Sequence, residues 1–242
     1  MDKLSILVLG VAGGAAHVYE GHCSSSFIIL KNDEPFCLVD LGLGVTRSLK
    51  RYGYQIPDKI IITHNHTDHA GELPVVLRVE EAQGKQLCIY SAKPVSERLR
   101  KHRIAEHLDL YCSSELAQWV SPLPEEEIQL SDNLSIAFYV GQHSECCFGF
   151  VIYQQKDLTE SVPLIGYTAD SGLYPELYSK ITQCKYSIYD AREFGNRWHA
   201  SLEEVNPFLD NDSYIIGHGI EKVNSLNHSA LLFPGQLINI ER

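Results

Sequence analysis

The sequence predicts a protein of the α/β class, and three observations support this prediction. The chain has 242 residues, 44% of them hydrophobic, so it can bury a sizeable core, and a single domain spanning residues 1–242 fits this length. Short apolar runs rich in β-branched residues recur along the chain, which is typical of buried strands. Between some of these runs, apolar residues are spaced as on one face of a helix.

Strands are predicted where an apolar run ends at a turn signal, and helices where apolar residues recur every three or four positions. The expected strands include residues 4–9, 27–30, 36–40, 60–62, 87–90, 134–140, the start of 163–172, 186–193 and 213–219. Helices are expected from residue 45, in 73–80, in 94–110, and after Ser201, which forms a capping-box pair with Glu204. The glycine-rich stretch 10–14 is expected to be a loop with no helix after it.

Charge and composition argue against two classes of protein. A formal net charge of −11 is unfavourable for gripping a phosphate backbone, so stable binding of nucleic acid is not expected. No apolar run is long enough to span a membrane, and the first run leads into a glycine turn rather than a signal peptide. Seven cysteines without CxxC pairs do not form a disulfide framework, which favours a reducing, cytoplasmic location.

One turn carries an unusual density of metal-binding side chains. Three isoleucines at 60–62 lead into His64-x-His66-x-Asp68-His69, which places three imidazoles and one carboxylate within six residues. His64 and His66 point the same way in an extended segment, whereas the chain turns before the other two. One tetrahedral zinc could hardly use all four side chains and keep a position for water, so the pattern favours two adjacent ions. A solvated polar loop is the alternative interpretation.

This motif resembles the signature of the metallo-β-lactamase superfamily of binuclear metallohydrolases. The resemblance implies an αββα sandwich, with two mixed β-sheets flanked by helices. It further implies that the four residues bind metal and that more ligands follow downstream, where His143, Asp170 and His218 each stand at the end of a predicted strand. The implied ligands are His64, His66 and His143 for one metal, Asp68, His69 and His218 for the other, and Asp170 as the bridge.

The same ligand set accommodates several divalent metals. Two ions are implied, zinc foremost, although manganese and iron suit imidazole and carboxylate ligands as well. Ala169 stands where the family commonly has glycine before the bridging carboxylate. This difference adds only a methyl group and leaves the assignment of Asp170 unchanged.

Further motifs resemble the ribonuclease Z-like branch of the superfamily. In that branch a histidine after an acid-Ala segment is implicated in protonating the leaving group, a role that falls on His199, while Asp68 would accept the proton of the attacking water. His199 could instead merely pack at a helix entry. Asp40 matches an Asp-x-Gly segment whose carboxylate supports the metal loop through hydrogen bonds, or it is a simple turn residue. Arg192 stands where the branch usually has threonine.

Some polar residues keep two interpretations each. His17 and His22 are ordinary loop histidines or substrate contacts. The basic cluster, defined as Arg98, Arg100, Lys101 and Arg103, is a solvated helix face or a phosphate contact. Cys146 and Cys147 are expected to pack in the interior.

The resemblance implies a metal-dependent phosphodiesterase in which a metal-activated hydroxide attacks phosphorus. Ribonuclease Z enzymes usually carry a basic arm for tRNA between the third and fourth ligand motifs, but only the 26 residues 144–169 lie between His143 and Asp170. The expected substrate is therefore a small nucleotide, above all a cyclic mononucleotide, as in the compact phosphodiesterases of the anti-Pycsar type. The alternatives are a tRNA 3′-processing endonuclease and a non-catalytic or cofactor-biosynthesis member. A homodimer is expected by analogy.

Overall fold

The computed structural model describes residues 3–156, 160–220 and 229–241. These residues form two compact units, and each unit is built on one mixed β-sheet. The first unit holds the described residues up to Ser121 together with Phe233–Glu241, and the second holds those from Pro122 to Leu232. Two mixed sheets of seven and six strands with flanking helices confirm the predicted fold class. One domain over residues 1–242 stays a prediction.

The strands of the first unit are β1 (Leu4–Gly10), β2 (Ser26–Lys31), β3 (Glu34–Val39), β4 (Lys59–Ile61), β5 (Leu87–Tyr90), β6 (Ala117–Val120) and β13 (Leu237–Ile240). Those of the second are β7 (Ile128–Ser131), β8 (Leu134–Val140), β9 (Phe148–Gln155), β10 (Ser161–Tyr167), β11 (Tyr186–Ala191) and β12 (Ser213–Gly217). The α-helices are α1 (Gly14–Tyr19), α2 (Val45–Arg51), α3 (Thr67–Ala70), α4 (Leu73–Ala82), α5 (Lys93–Arg98), α6 (Ser113–Leu116), α7 (Pro175–Ile181) and α8 (Leu202–Val205).

The first sheet has the strand order β13-β1-β2-β3-β4-β5-β6. Its pairings are antiparallel from β13 to β3 and parallel from β3 to β6, so β1, β3, β4 and β5 all end at the same edge. Ile60 and Ile61 in the central strand β4 are fully buried, which explains their continuous β-branched pattern. Ligands of such sheets bind beyond the carboxyl ends of the parallel strands.

The second sheet has the order β12-β11-β10-β9-β8-β7. β10, β11 and β12 are mutually parallel, and two antiparallel steps make β8 parallel to them as well. These four strands therefore deliver their carboxyl ends to one edge. Helix α7 packs on β9 and β10 and buries Leu177 and Ile181, and burial of a leucine or isoleucine side chain is worth about 1.5–3 kcal/mol. Its Tyr178 stacks on Tyr189 of β11.

The predicted absence of a helix after the glycine-rich stretch is wrong, because α1 begins at Gly14. Gly14 has φ 64, a left-handed conformation that glycine adopts without penalty. Its backbone N–H donates to the carboxylate of Asp68 at 2.8 Å. A partner 54 positions away in the chain satisfies this helix start, and no local sequence pattern reveals such a partner.

The helix predicted over residues 94–110 is also shorter than expected. The α-helix α5 ends at Arg98. The chain then forms a π-helical turn, Leu99–Arg103, and a 3₁₀ turn, Ala105–His107. Leu99 and Ile104 are both fully buried, and the Ile104 N–H donates to the Leu99 carbonyl at 3.1 Å. Burying two side chains five positions apart requires this wider turn.

The C-terminal segment completes the first sheet. β13 pairs with β1 in antiparallel register, with Leu4 opposite Ile240. All seven cysteines lie within the described ranges, and none forms a disulfide with another. Among the described residues, no helix has the length and apolar character needed to cross a membrane.

Candidate metal centre

The metal loop, defined as residues 63–69, follows β4 at the edge where the parallel strands of the first unit end. The loop leaves the sheet after Ile62, whose N–H still donates to the Tyr90 carbonyl at 2.9 Å, and then enters the single turn of α3. His64 and His69 are fully buried, while His66 and Asp68 are partly exposed. The four predicted donors of this loop therefore lie together in one unit.

Two imidazoles of the loop face each other through their nitrogens. His64 Nε2 and His66 Nδ1 are 3.1 Å apart. Two nitrogen ligands of one tetrahedral zinc ion, each bound at about 2.0–2.1 Å, are separated by roughly 3.3 Å. His64 Nδ1 lies 3.0 Å from the Thr63 hydroxyl, which in turn reaches the Asp40 carboxylate at 2.9 Å. The Thr63 hydroxyl donates its hydrogen to Asp40, so its oxygen accepts a hydrogen bond from His64 Nδ1–H. The lone pair on His64 Nε2 is then available to a metal.

Asp40 organises the metal loop from the end of β3. It is fully buried and accepts the Thr63 N–H at 2.8 Å and His69 Nδ1–H at 2.8 Å. The second bond turns His69 Nε2 outward, as metal-ligating histidines require. Burial raises the pKa of the Asp40 carboxyl, and the neighbouring His69 and Thr63 act in the opposite direction. Asp40 also has φ 60, so the turn role and the supporting role are both realised.

Gly42 permits the close approach of the metal loop to this turn. A Cβ at position 42 would lie 1.9 Å from the carbonyl oxygen of Asp68. The Glu72 carboxylate, just after the loop, accepts the N–H groups of Gly44 and Thr46 at 2.7 and 2.8 Å, at the start of α2. The loop is thus tied at both ends to the segment that follows β3.

Asn65 and Asp68 are partly exposed residues of the metal loop, and both lie near Arg103. Asp68 Oδ2, which accepts the Gly14 N–H, lies 3.9 Å from His69 Nε2. The Arg103 guanidinium donates through Nε to Asn65 Oδ1 at 3.0 Å and through Nη2 to the Asn65 carbonyl. Partial burial lowers the pKa of Arg103, and the nearby Asp68 carboxylate opposes this shift. Arg103 therefore acts on the metal loop rather than belonging to a solvated helix face.

The second unit collects its polar residues from four strand ends. His143 follows β8, Asp170 follows β10, Asp190 lies at the end of β11, and His218 follows β12. His199 comes from the loop after β11. The donor atoms of Asp170, Asp190, His199 and His218 all lie within 4.8 Å of one another, and all four residues are buried.

The ring of His143 has a defined orientation. Its Nδ1 lies 3.2 Å from the carbonyl oxygen of Trp198, which can only accept, so Nδ1 carries the proton. The Nε2 atom then presents its lone pair, 3.8 Å from Asp170 Oδ2. His143 and Asp170 therefore offer two metal donors side by side, as their predicted role requires.

His199 is paired with Asp190. Its Nδ1 lies 3.0 Å from Asp190 Oδ2, and both side chains are buried. Its ring centroid is 4.9 Å from that of His143 and 4.8 Å from that of His218. His218 Nδ1 lies 3.4 Å from one carboxylate oxygen of Asp170 and one of Asp190. His199 therefore contacts the buried polar cluster, and just after it Ser201 and Glu204 form the predicted capping box at the start of α8.

Asp190 is a residue of this cluster that sequence reasoning did not single out. The available signal was the acidic end of a predicted strand just before His199. Its backbone N–H is fixed by the Thr168 hydroxyl at 2.8 Å, beside the turn that carries Asp170. Arg192 makes backbone hydrogen bonds with Ala200 and Leu202 that close the His199 loop.

The chemistry of these donors fits divalent metal ions in each unit. Buried and partly buried imidazoles and carboxylates with donor atoms 3.1–3.9 Å apart are the ligand type that zinc prefers. His17, by contrast, is bonded through Nδ1 to the Gly13 carbonyl at 3.1 Å, beside the start of α1. Cys147 is buried as expected, and Cys146 is partly exposed.

The sequence matches one family model. The family described as Anti-Pycsar protein Apyc1 matches residues 4–213, most of the chain. A search by sequence finds no match among curated proteins.

Solved structures share the fold at low sequence identity. The metallo-β-lactamase fold protein YhfI from Bacillus subtilis has a TM-score of 0.71 at 17% identity and covers 99% of this chain and 100% of its own. A diphosphatase of the PhnP family has a TM-score of 0.68 at 14% identity and covers 99% and 98%. The short form of human tRNase Z has a TM-score of 0.69 at 16% identity and covers 98% and 100%. The fold is therefore the metallo-β-lactamase fold, as the motif predicted.

Proposed function

Because the chain belongs to the family described as Anti-Pycsar protein Apyc1, we propose that it is a metal-dependent phosphodiesterase whose substrate is a small nucleotide, above all a cyclic mononucleotide. The family agrees with the resemblance to compact cyclic nucleotide phosphodiesterases in the sequence. Two fold relatives, a diphosphatase and a tRNase, are named for action on phosphate compounds or RNA. They support phosphorus chemistry in general.

The proposed metal ligands are seven side chains. Two divalent ions, zinc in the first instance, would be held by His64, His66, Asp68, His69, His143, Asp170 and His218. Bound metal would supply a water of lowered pKa and positive charge for the phosphoryl oxygens. The chain itself contributes fixed tautomers, because the Asp40 carboxylate and the Trp198 carbonyl each hold one ligand histidine by its Nδ1–H.

The structural observation that carries the proposed proton transfer is the buried pair of His199 and Asp190. The Asp190 carboxylate accepts a hydrogen bond from His199 Nδ1–H and would stabilise the charged imidazolium, so that Nε2 could give its proton to the leaving oxygen of a phosphodiester. Asp68 would accept the proton of the attacking water, and the Gly14 N–H holds its carboxylate in place. An acid and a base are thereby provided by different segments.

The preference for a small substrate rests on a short connection. Between His143 and Asp170 the chain forms β9 and β10, which pair in antiparallel register with Gln155 opposite Ser161. A basic arm for tRNA has no length of chain available at this point. The net charge of −11 also disfavours a long phosphate backbone.

Purified protein loaded with zinc or manganese should be assayed on 3′,5′- and 2′,3′-cyclic nucleotides, bis(p-nitrophenyl) phosphate and precursor tRNA. We expect turnover of a cyclic mononucleotide. Cleavage of tRNA alone would reverse the substrate assignment, and metal-loaded protein inert towards every phosphodiester would refute the enzymatic proposal. Light scattering on the same sample tests the expected homodimer.

Variants separate the assigned roles. His199→Ala should lower kcat by about 10²–10⁴ while zinc content stays unchanged, because it removes a proton donor and no ligand. Asp68→Ala and Asp170→Ala should lose zinc and activity together. Asp109→Ala, at an exposed aspartate, is the matched control and should behave as wild type. Full activity of Asp170→Ala would contradict the proposed ligand set.

A further inference from the structure

Arg103 makes two hydrogen bonds to a single residue of the metal loop. Its Nε donates to the side-chain oxygen of Asn65 at 3.0 Å, and its Nη2 donates to the backbone carbonyl of the same residue. The guanidinium therefore fixes both the side chain and the peptide plane of Asn65. A planar fork of donors is suited to such a two-point contact, and the single ammonium of lysine is not.

The position of Asn65 gives this contact its consequence. Asn65 stands between His64 and His66, whose facing nitrogens are 3.1 Å apart. Rotation of the Asn65 peptide would move the backbone that carries both imidazoles and change this separation. His64 has a further support through Thr63 and Asp40. His66 lies on the partly exposed side of the loop, and its neighbour Asn65 accepts the two hydrogen bonds from Arg103.

The local backbone of Arg103 is itself unusual. Arg103 closes the π-helical turn Leu99–Arg103, and its neighbour Ile104 is fully buried. Turns of this kind often occur at functional sites. The anchored neighbour holds Arg103 in place, while Arg98 and Lys101 of the same basic cluster are exposed.

We propose that Arg103 is a positioning residue that sets the metal affinity of the first unit by fixing the Asn65 peptide between His64 and His66. This inference rests on the proposed metal site and adds a determinant outside the seven ligands. Loss of a residue that orients metal ligands typically weakens metal binding by about 10–100-fold. Arg103 contributes through Asn65 and needs no contact with metal or substrate.

The test measures metal binding, not only turnover. Zinc affinity of the full-length protein is determined by competition with a fluorescent chelator for wild type, Arg103→Ala, Arg103→Lys and Asn65→Ala. We expect zinc binding about 10–100-fold weaker for Arg103→Ala, with partial recovery in Arg103→Lys because lysine can restore one of the two bonds. The visible absorption of cobalt-loaded protein should change in Arg103→Ala, since the ligand geometry changes.

Controls distinguish positioning from a loss of fold. Arg98→Ala removes an exposed arginine of the same cluster and should keep wild-type affinity and cobalt spectrum. The metal-free melting temperature of each variant reports whether it is folded. If Arg103→Ala is unfolded, the zinc affinity of Arg103→Lys is compared with that of the wild type instead. In the double variant Asn65→Ala/Arg103→Ala, the loss of zinc affinity should be smaller than the sum of the losses in the two single variants, because both substitutions remove the same contact.

Two outcomes overturn the inference in different ways. If the wild type binds zinc and folded Arg103→Ala binds it within about twofold of the same affinity, Arg103 has no positioning role, while the proposed function stands. If the wild type binds no divalent metal, the proposed function fails and this inference fails with it.

Discussion

The two units present their candidate metal ligands in opposite ways. The first unit places His64, His66, Asp68 and His69 within six consecutive residues of one turn. The second gathers its residues from strand ends spread between His143 and His218. A local cluster depends on how one loop is anchored, whereas a dispersed cluster depends on the register and direction of a whole sheet.

Both units nevertheless use the same local device. Each has a strand followed by an Asp-x-Gly turn, at Asp40 to Gly42 and at Asp170 to Gly172. The glycine in each turn allows a second loop to pass within a distance that no Cβ would tolerate. At Gly42 the close atom is the Asp68 carbonyl oxygen. At Gly172 it is the Arg197 carbonyl oxygen, which lies 2.4 Å from the point where a Cβ would stand.

The largest effects are expected from filling these two turns. Gly42→Ala should lower the free energy of unfolding by about 3 kcal/mol or more and abolish zinc binding, because the clash is with backbone that cannot rotate away. Gly172→Ala should cost somewhat less, since its contact is longer. Gly84→Ala is the control: no atom lies within 4 Å of a Cβ at Gly84, so only its positive φ is penalised there, by about 1 kcal/mol, whereas Gly42 and Gly172 have no positive φ. Urea unfolding measures the free energy of unfolding of all three variants. Equal losses of stability in Gly42→Ala and Gly84→Ala would disprove the role of the close backbone approach.

The supporting carboxylates should separate ligand orientation from proton transfer. Asp40→Asn removes the charged acceptor of His69 Nδ1–H and should weaken zinc binding by about 10–100-fold. Asp190→Asn acts on His199 and should lower kcat by about 10-fold or more with a smaller change in zinc affinity. Chelator competition and steady-state kinetics give both quantities. Equal loss of zinc affinity in the two variants would contradict the assignment of Asp40 to ligand orientation and of Asp190 to proton transfer.

Alkaline pH should weaken both units through buried thiols. Burial raises the pKa of Cys37 in the first unit and of Cys184 in the second from 9.0 to about 12. The unfolded thiol ionises first, so stability present below about pH 9 is lost as the pH rises towards 12, by about 2 kcal/mol per thiol at about pH 10.5. Cys37→Ala and Cys184→Ala should each flatten this dependence in urea unfolding between about pH 8 and 10.5. An unchanged slope in either variant would contradict the assigned shift.

The smallest effect concerns the residue before Asp170. Ala169 has φ 51 and is fully buried, so it holds a left-handed conformation that disfavours any Cβ. Ala169→Gly should raise the free energy of unfolding by about 1 kcal/mol, since only glycine adopts this conformation without penalty. Ala137→Gly, at a buried alanine inside β8, should instead destabilise by about 1 kcal/mol. Destabilisation by both variants would remove strain at Ala169 as an explanation.

Prediction from sequence succeeded where a pattern is local. The strands before the metal loop and before Asp170, the capping box at Ser201 and the motif of the loop itself each lie within a few consecutive residues. Asp190 and Arg103 were visible only as an acidic strand end and as one member of a basic cluster. Their partners, His199 and Asn65, lie 9 and 38 positions away. Helix α1 and the π-helical turn were missed for the same reason, because each is stabilised by contacts distant in sequence or by burial.

The sequence by itself determined the fold class, the position of most strands and the ligand-dense turn, because hydrophobic periodicity and side-chain chemistry are properties of short segments. Only the tertiary structure decided which histidine nitrogen carries a proton, which carboxylate faces His199 and which arginine holds the metal loop. These features depend on distances between segments far apart in the chain, and such distances arise only when the strands of each sheet are paired in register.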